Sequence, residues 1–154
     1  MINALASGST VQKNVDVKLR NVSFTGTDTS GIVLSGSTVN GDVNFDADGI
    51  DVSSQSEFHV SNSGSVNDLT VSLKNYTGKG WTFYGTNNSA VKGNLDVKIL
   101  GGSGTFANIY GTYSSGIYGH ASIQIEGCIC SGAIMGSSSE CSFISRGNEN
   151  DGYT

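Results

Sequence analysis

The chain has 154 residues, with 22 glycines, no proline, 13 acidic and 8 basic side chains, a length that fits one domain. Its Gly, Ser, Thr and Asn content disfavours long helices, and its net charge of -5 disfavours a surface for nucleic acid. The first ten residues lack signal-peptide features, and no run of about 20 apolar residues predicts membrane insertion.

Five segments with apolar residues at their first, third and fifth places predict half-buried strands. In chain order they are Val15–Leu19, Val43–Ala47, Leu69–Leu73, Leu95–Ile99 and Ala121–Ile125. Their first residues are separated by steps of 28, 26, 26 and 26 residues. A period held this closely indicates repeats that stack on one another.

Two shorter apolar stations recur between the long strands. The first is a patch that ends in a turn, at 32–36, 58–61, 81–85, 107–111 and 133–136. The second is a single apolar residue, at Val39, Val66, Val91, Ile117 and, in register, Phe143.

Glycines are expected at the corners between faces, at Gly26, Gly41, Gly85, Gly93, Gly101, Gly102, Gly111, Gly119 and Gly136. Asx residues before the long strands, such as Asp42 and Asn94, are expected to bond their own backbone at the turn.

Three apolar stations per repeat predict an all-β, right-handed parallel β-helix: a three-sided solenoid of about five coils of roughly 26 residues each. Residues 1–154 form one solenoid domain, or a fragment of a longer array. An antiparallel sandwich is the rival architecture, but its strands seldom repeat both identity and spacing. Repeats that run to both ends without polar caps predict end-to-end self-association.

The later repeats resemble the Gly-rich β-helix repeats of bacterial adhesin-like surface and secreted proteins. The resemblance rests on Gly93–Gly102 followed by Ile109–Gly111, and on Ser122–Gly127 followed by Ala133–Gly136. It is close over 93–136 and loose over 11–143. It implies an extracellular or cell-surface setting and a non-enzymatic binding or structural role, with surface glycans or proteins as partners. No catalytic residue is carried over by it.

Four carboxylates lie close together in sequence, at Asp42, Asp46, Asp48 and Asp51. Oxygen ligands around a glycine turn are what Ca²⁺ requires, so calcium is the one candidate cofactor. The segment is not an EF-hand loop, because no glutamate follows at the required place. The alternative interpretation is a solvated acidic corner between two faces.

The same stretch resembles the Asp-Gly-Ile-Asp type of segment found in β-helical pectin hydrolases, and Gly119-His120-Ala121 is a partial match to a second motif of theirs. This resemblance implies an alternative function, a carbohydrate-active β-helix that hydrolyses or cleaves polysaccharide with the Asp42–Asp51 cluster. The adjacent Asp pair and the Arg-x-Lys motif of that family are missing here. Hydrolysis needs two carboxylates flanking one bond, and residues three apart on a strand point to opposite faces unless a turn intervenes.

Tyrosines are concentrated in the third and fourth repeats, and they form the leading candidate for ligand binding: Tyr84, Tyr110, Tyr113 and Tyr118. In-register coils would place Tyr84 directly against Tyr110, and an aromatic ladder can stack on sugar rings or on a protein. Trp81 is expected in the core. The alternative is that Tyr84 and Tyr110 only cover a corner.

The histidines and cysteines predict no catalytic set. His59 is expected to face solvent, and His120 to lie in a turn too far away to share a metal ion with it. Cys128 and Cys130 are expected as buried thiols or as partners of Cys141. Threonines such as Thr70 and Thr82 do not recur at one station, which argues against an ice-binding array.

Overall fold

A computed structural model describes residues 3–25, 30–114, 116–136 and 140–146, with 30–32 and 140–146 described by their backbone alone. The described residues contain strands and no helix. In chain order the strands are β1 (Thr10–Val11), β2 (Val15–Arg20), β3 (Ser30–Ser35), β4 (Thr38–Val39), β5 (Val43–Asp48), β6 (Glu57–Asn62), β7 (Ser65–Val66), β8 (Leu69–Tyr76), β9 (Lys79–Asn87), β10 (Ala90–Val91), β11 (Leu95–Gly102), β12 (Thr105–Tyr113), β13 (His120–Glu126), β14 (Ile129–Cys130), β15 (Ile134–Met135) and β16 (Glu140–Arg146).

The long strands form one six-stranded parallel sheet in the order β16-β13-β11-β8-β5-β2. Val15, Val43, Leu69, Leu95 and Ala121 are consecutive register partners. The predicted repeat is therefore confirmed residue by residue, and the chain is a parallel β-solenoid of about five coils. We number the coils by their long strands, so that β2, β5, β8, β11 and β13 belong to coils 1 to 5.

Two further sheets complete the three sides. The middle sheet has the order β14-β12-β9-β6-β3, with β15 also paired to β12, and the short sheet has the order β1-β4-β7-β10. Ile117 continues the short sheet through a bridge to Val91, as its station predicts. Stacking works because each strand finds backbone partners in the coils above and below it, while alternate side chains fill a shared interior.

The prediction for Phe143 is wrong. It pairs with Ile123 inside β16, the sixth long strand, and not at the short station. The reason is that Ala121 pairs with Cys141, a step of 20 residues, so the last turn of the solenoid is shorter than the others. A constant period extrapolated past coil 5 therefore places Phe143 on the wrong side.

The interior is a single column of apolar side chains from all three sheets. The long strands alternate as predicted, with Val71 and Leu73 fully buried and Thr70 exposed between Leu69 and Val71. Aromatic rings from the middle sheet fill the widest part, where Trp81 lies 4.5 Å from Phe106 between ring centroids. Burial of this apolar surface is the main stabilising contribution of the fold.

A column of side-chain oxygens runs along the corner before the long strands. The Oδ1 atoms of Asn14, Asp42, Asp68 and Asn94 accept hydrogen bonds from the backbone N–H groups of Asp42, Asp68, Asn94 and His120, at 2.9, 3.4, 2.7 and 2.9 Å. Each bond joins one coil to the next. The expectation that these side chains bond their own turn is therefore wrong, because the equivalent backbone of the next coil lies closer.

The corner after the long strands has a left-handed backbone in all five coils. Its residues have φ between 49° and 75° and are in register: Asn21, Gly49, Asn75, Gly101 and Gly127. Glycine and asparagine tolerate this conformation better than other residues do. Gly101 is thus at a corner as predicted, whereas Gly26 lies outside the described residues.

Gly85 and Gly111 lack the left-handed backbone of that corner, contrary to the sequence prediction, and lie inside β9 and β12. Glycine is needed at both positions because the backbone of the next coil lies very close to them. A Cβ at Gly111 would lie 2.7 Å from the Gly136 carbonyl oxygen and 2.8 Å from Leu95 Cδ2. The interior leaves no room for a side chain at this point of the middle sheet.

Candidate functional site

The outer face of the middle sheet holds a row of rings from successive coils. His59 of β6 is the register partner of Tyr84, and Tyr84 is the partner of Tyr110, which is itself paired with Met135. The ring centroids of His59 and Tyr84 lie 4.5 Å apart, and those of Tyr84 and Tyr110 lie 5.3 Å apart with an interplanar angle of 27°. The predicted stacking of Tyr84 on Tyr110 is confirmed.

Tyr113 joins the same group from the end of β12. Its ring centroid lies 5.2 Å from that of Tyr110 and 5.7 Å from that of Tyr84. Exposure rises along the group, because Tyr84 is 9% exposed and Tyr113 is 47% exposed. We call His59, Tyr84, Tyr110 and Tyr113 the tyrosine cluster. Its accessible part consists of the exposed Tyr113 and the partly buried Tyr110, with Met135, which is 50% exposed, beyond Tyr110.

The solvent-facing prediction for His59 is wrong. The residue does lie on the outer face, but it is only 3% exposed. Tyr84 stacks on its ring, and its Nε2 lies 3.0 Å from Glu57 Oε2. Strand alternation correctly places the side chain on the outside, but it does not reveal what covers it. Alignment of the middle strands would have detected the row, because His59, Tyr84 and Tyr110 are 25 and 26 residues apart.

The electrostatics of the cluster favour a neutral phenol at Tyr84. Burial raises the pKa of the Tyr84 hydroxyl, and the charge of Glu57 and the neighbouring hydroxyls of Tyr110 and Tyr113 raise it further. Each of these effects disfavours a phenolate. Tyr84 therefore places a neutral ring beneath Tyr110 and Tyr113.

Polar groups surround the exposed rings. Asn87 is the register partner of Tyr113, and its Oδ1 is buried without a hydrogen-bond partner among the described residues. Asn108 lies on β12 two residues before Tyr110, where its Nδ2 lies 3.4 Å from Thr82 Oγ1. The site thus combines apolar ring surface with the partly buried amide of Asn108, whereas the Asn87 oxygen is closed to solvent.

Tyr118 is not part of this cluster. It follows Ile117 on the short side of the solenoid, and its backbone N–H donates to the Val91 carbonyl at 3.0 Å. At 79% it is highly exposed. The structure thus brings together three of the four predicted tyrosines and places the fourth on another side.

Two of the four clustered carboxylates are engaged on the outer face of the long sheet. Asp46 forms a salt bridge with Arg20, whose Nη1 also donates to the Asp46 carbonyl at 2.9 Å. Asp48 Oδ1 accepts a hydrogen bond of 2.7 Å from Asn75 Nδ2. Both carboxylates therefore interact with a residue of a neighbouring coil.

The other two carboxylates, of Asp42 and Asp51, accept hydrogen bonds at turns. Asp42 belongs to the corner column described above, and it also accepts a hydrogen bond of 2.8 Å from Asn67 Nδ2. Asp51 Oδ1 accepts from the Ser53 backbone N–H at 2.9 Å. Hydrogen bonds from the Ser53 side chain and backbone lower the pKa of the Asp51 carboxyl. A turn at Gly49, with φ of 75°, separates Asp51 from β5.

No group of three or more His, Cys, Asp and Glu side chains in the described part of the chain is placed to hold a metal ion. The calcium site at Asp42, Asp46, Asp48 and Asp51 stays a prediction. Their described partners are Arg20, asparagines and backbone N–H groups, which gives each carboxylate a structural role of its own.

Cys128 and Cys130 are buried, as expected, and neither forms a disulfide among the described residues. Burial raises the pKa of both thiols, which keeps them protonated and poorly nucleophilic. The side chain of Cys141 lies outside the described residues, so its pairing with either stays a prediction.

Comparison with protein-family models, curated proteins and solved structures finds no match to this chain. The fold and the geometry of the site therefore carry the functional argument. No helix of the length and apolarity needed to cross a membrane is present among the described residues.

Proposed function

We propose that this chain is a non-enzymatic, adhesin-like β-solenoid module of the extracellular space or cell surface, and that it binds glycans through Tyr110 and Tyr113. The observation that carries the proposal is the pair formed by the exposed Tyr113 ring and the partly buried Tyr110 ring, held on a buried stack of His59 and Tyr84. The extracellular setting rests on the resemblance of the repeats to adhesin-like proteins.

The exposed end of the cluster is the part suited to a ligand. Tyr84 has one ring face against His59 and the other against Tyr110, so it has no free face to offer. Tyr113 and the outer side of Tyr110 retain accessible surface. Because these rings are fixed by their neighbours, binding would cost little side-chain entropy.

Glycans fit this surface better than a protein partner does. A sugar presents an apolar ring face for the tyrosines and hydroxyls for the partly buried side chain of Asn108, which lies two residues before Tyr110 on β12. Stable protein interfaces instead have an extensive apolar centre. The exposed area here is a short strip formed by Tyr110, Tyr113 and Met135.

The test is binding of the purified chain to a panel of neutral and acidic soluble polysaccharides, measured by titration calorimetry. Truncating an aromatic residue at the centre of a binding site typically costs about 2 kcal/mol or more, so Tyr113→Ala should weaken binding by about tenfold or more. Tyr118→Ala is the matched control, because it removes a more exposed tyrosine from another side and should leave binding unchanged. Equal effects of the two substitutions, or no binding by the unmodified chain, would contradict the proposal.

The alternative is a polysaccharide hydrolase or lyase that uses the Asp42–Asp51 cluster. It has weaker support, because Asp46 is paired with Arg20 and Asp51 serves its own turn. The same panel tests it: release of reducing ends or unsaturated sugars that disappears in the double variant Asp48→Asn, Asp51→Asn would favour catalysis over simple binding.

A further inference from the structure

Coil 1 ends in an open edge. Strand β2 is the terminal strand of its sheet and pairs only with β5 among the described residues. The apolar side chains there are less covered than those of inner coils: Val17 and Leu19 are 9% and 8% exposed, whereas Val71 and Leu73 at the same stations are 0% exposed. Partly buried residues of the same end are Leu5, Val11, Val15 and Val22.

The backbone groups at this edge can be assigned from the hydrogen bonds on the other side. The N–H groups of Val15 and Asn21 donate to the carbonyls of Asp42 and Asp48, at 2.8 and 3.0 Å. Successive residues of a strand direct their N–H and C=O groups to opposite edges. The outward-directed groups of β2 therefore belong to Asp16, Lys18 and Arg20.

We propose that this edge pairs with the β2 strand of a second copy of the chain, antiparallel and about a two-fold axis at Val17. In this register Asp16 lies opposite Lys18 of the second copy, and Lys18 lies opposite its Asp16. Both pairs are formed by residues whose backbone groups face the open edge, so they supply hydrogen bonds as well as opposite charges. Val17 meets Val17 of the second copy on the interior side.

The charge order of β2 selects this register over the next one. A shift by two residues is also compatible with backbone hydrogen bonding, but it would place Lys18 opposite Lys18 of the second copy, and Asp16 opposite an Arg20 that already pairs with Asp46. Like charges directly opposite each other destabilise a strand pair. A closed two-fold contact also covers the β2 edge of both copies at once.

This inference concerns a surface separate from the tyrosine cluster, and it stands whether or not that cluster binds a glycan. The first experiment is sedimentation velocity of the full chain over a range of concentrations. The unmodified chain should form a dimer. Asp16→Lys places two lysine pairs across the axis, and the dissociation constant should rise by about tenfold or more. The double variant Asp16→Lys, Lys18→Asp restores opposite charges and should restore the dimer.

The chain supplies a matched control for this exchange. Asp96 and Lys98 occupy the same stations of β11, which is paired on both edges. Asp96→Lys should therefore leave the oligomeric state unchanged, and a melting curve of each variant shows whether it is folded. A monomeric unmodified chain, open-ended filaments, or an Asp96→Lys effect equal to that of Asp16→Lys would overturn the proposal.

A second experiment reads the register without altering charge. Directly opposed residues of the antiparallel pair that lacks backbone hydrogen bonds lie about 4.5 Å apart between Cα atoms, within the range of a disulfide. Val17→Cys should therefore give a disulfide between the introduced thiols of two copies under mild oxidation, identified by peptide mass. Lys18→Cys should cross-link only in the shifted register. Cross-linking of Lys18→Cys but not of Val17→Cys would overturn the proposed axis.

Discussion

Both faces of the middle sheet carry aromatic rings that the repeat period brings into contact, one face inside the solenoid and the other outside it. On the inner face Trp81 packs against Phe106 with centroids 4.5 Å apart, and on the outer face His59 packs against Tyr84 at the same distance. The period brings rings together on both sides. Inside, these rings are fully buried; outside, exposure increases from His59 to Tyr113. Stacking alone therefore does not indicate a binding surface, and the rings with accessible faces are the ones suited to it.

The largest expected difference between the faces is in stability. Trp81→Ala empties the widest part of the interior, and buried Trp to Ala substitutions cost about 3–5 kcal/mol. We expect a loss of this order, or unfolding, measured by urea denaturation. Trp81→Phe keeps a ring and removes an N–H that has no acceptor among the described residues, so it should retain most of the stability. A small loss for Trp81→Ala would show that the interior does not depend on its rings.

A smaller loss is expected on the outer face, three residues further along β9. Tyr84→Ala removes ring contacts with His59, Tyr110 and Tyr113, each worth about 0.5–1.5 kcal/mol beyond simple burial. The same denaturation experiment should give a loss of about 1.5–3 kcal/mol, in the lower half of the sum of three such contacts, because water can enter the gap left on the outer face. Tyr84→Phe is the control, since it keeps the ring. If Tyr84→Ala cost more than Trp81→Ala, the outer stack would be the principal support of the sheet.

The smallest effect concerns alkaline stability and compares Tyr76 inside with Tyr84 outside. Burial raises the pKa of both hydroxyls, and the nearby Cys128 thiol raises that of Tyr76 further. Tyrosines of the unfolded chain release their protons near about pH 10, whereas the buried hydroxyls of the folded chain do so only at higher pH. The free energy of unfolding is therefore unaffected by these two groups below about pH 10, and it falls as the pH rises above that value. Denaturation midpoints between about pH 8 and 11 measure this loss.

Tyr76→Phe should remove more of that alkaline loss than Tyr84→Phe, because Tyr76 is fully buried and Tyr84 is 9% exposed. Equal slopes for the two variants would mean that the two hydroxyls ionise in equivalent surroundings, and the contrast between the faces would not extend to their electrostatics.

Much of the fold was predictable from particular residues. The spacing of Val15, Val43, Leu69, Leu95 and Ala121 predicted the register of the long sheet, which the structure confirms. The stacking of Tyr84 on Tyr110 followed from the same period. Both succeed because a repeat that matches its neighbour in length places equivalent side chains in contact, whatever the details of the corners.

Other features depended on contacts that no spacing reveals. His59 is buried because Tyr84 and Glu57 cover it, and alternation specifies a face of the strand without specifying a neighbour. The acidic residues of coil 2 are close in sequence, yet Asp46 and Asp48 interact with Arg20 of coil 1 and Asn75 of coil 3. In a stacked solenoid the nearest neighbours are about one coil away in the chain, not adjacent in it.

The sequence by itself determined the strands, the period and the identity of the interior residues. Apolar alternation specifies which side chains of a strand face inward, and a constant repeat length places equivalent residues of successive coils side by side. Only the tertiary structure decided the shorter last turn that places Phe143 opposite Ile123, the separation of Tyr118 from the other tyrosines, and the burial of His59. These depend on where each corner ends and on which side chains lie above and below, and that is a property of the stack as a whole.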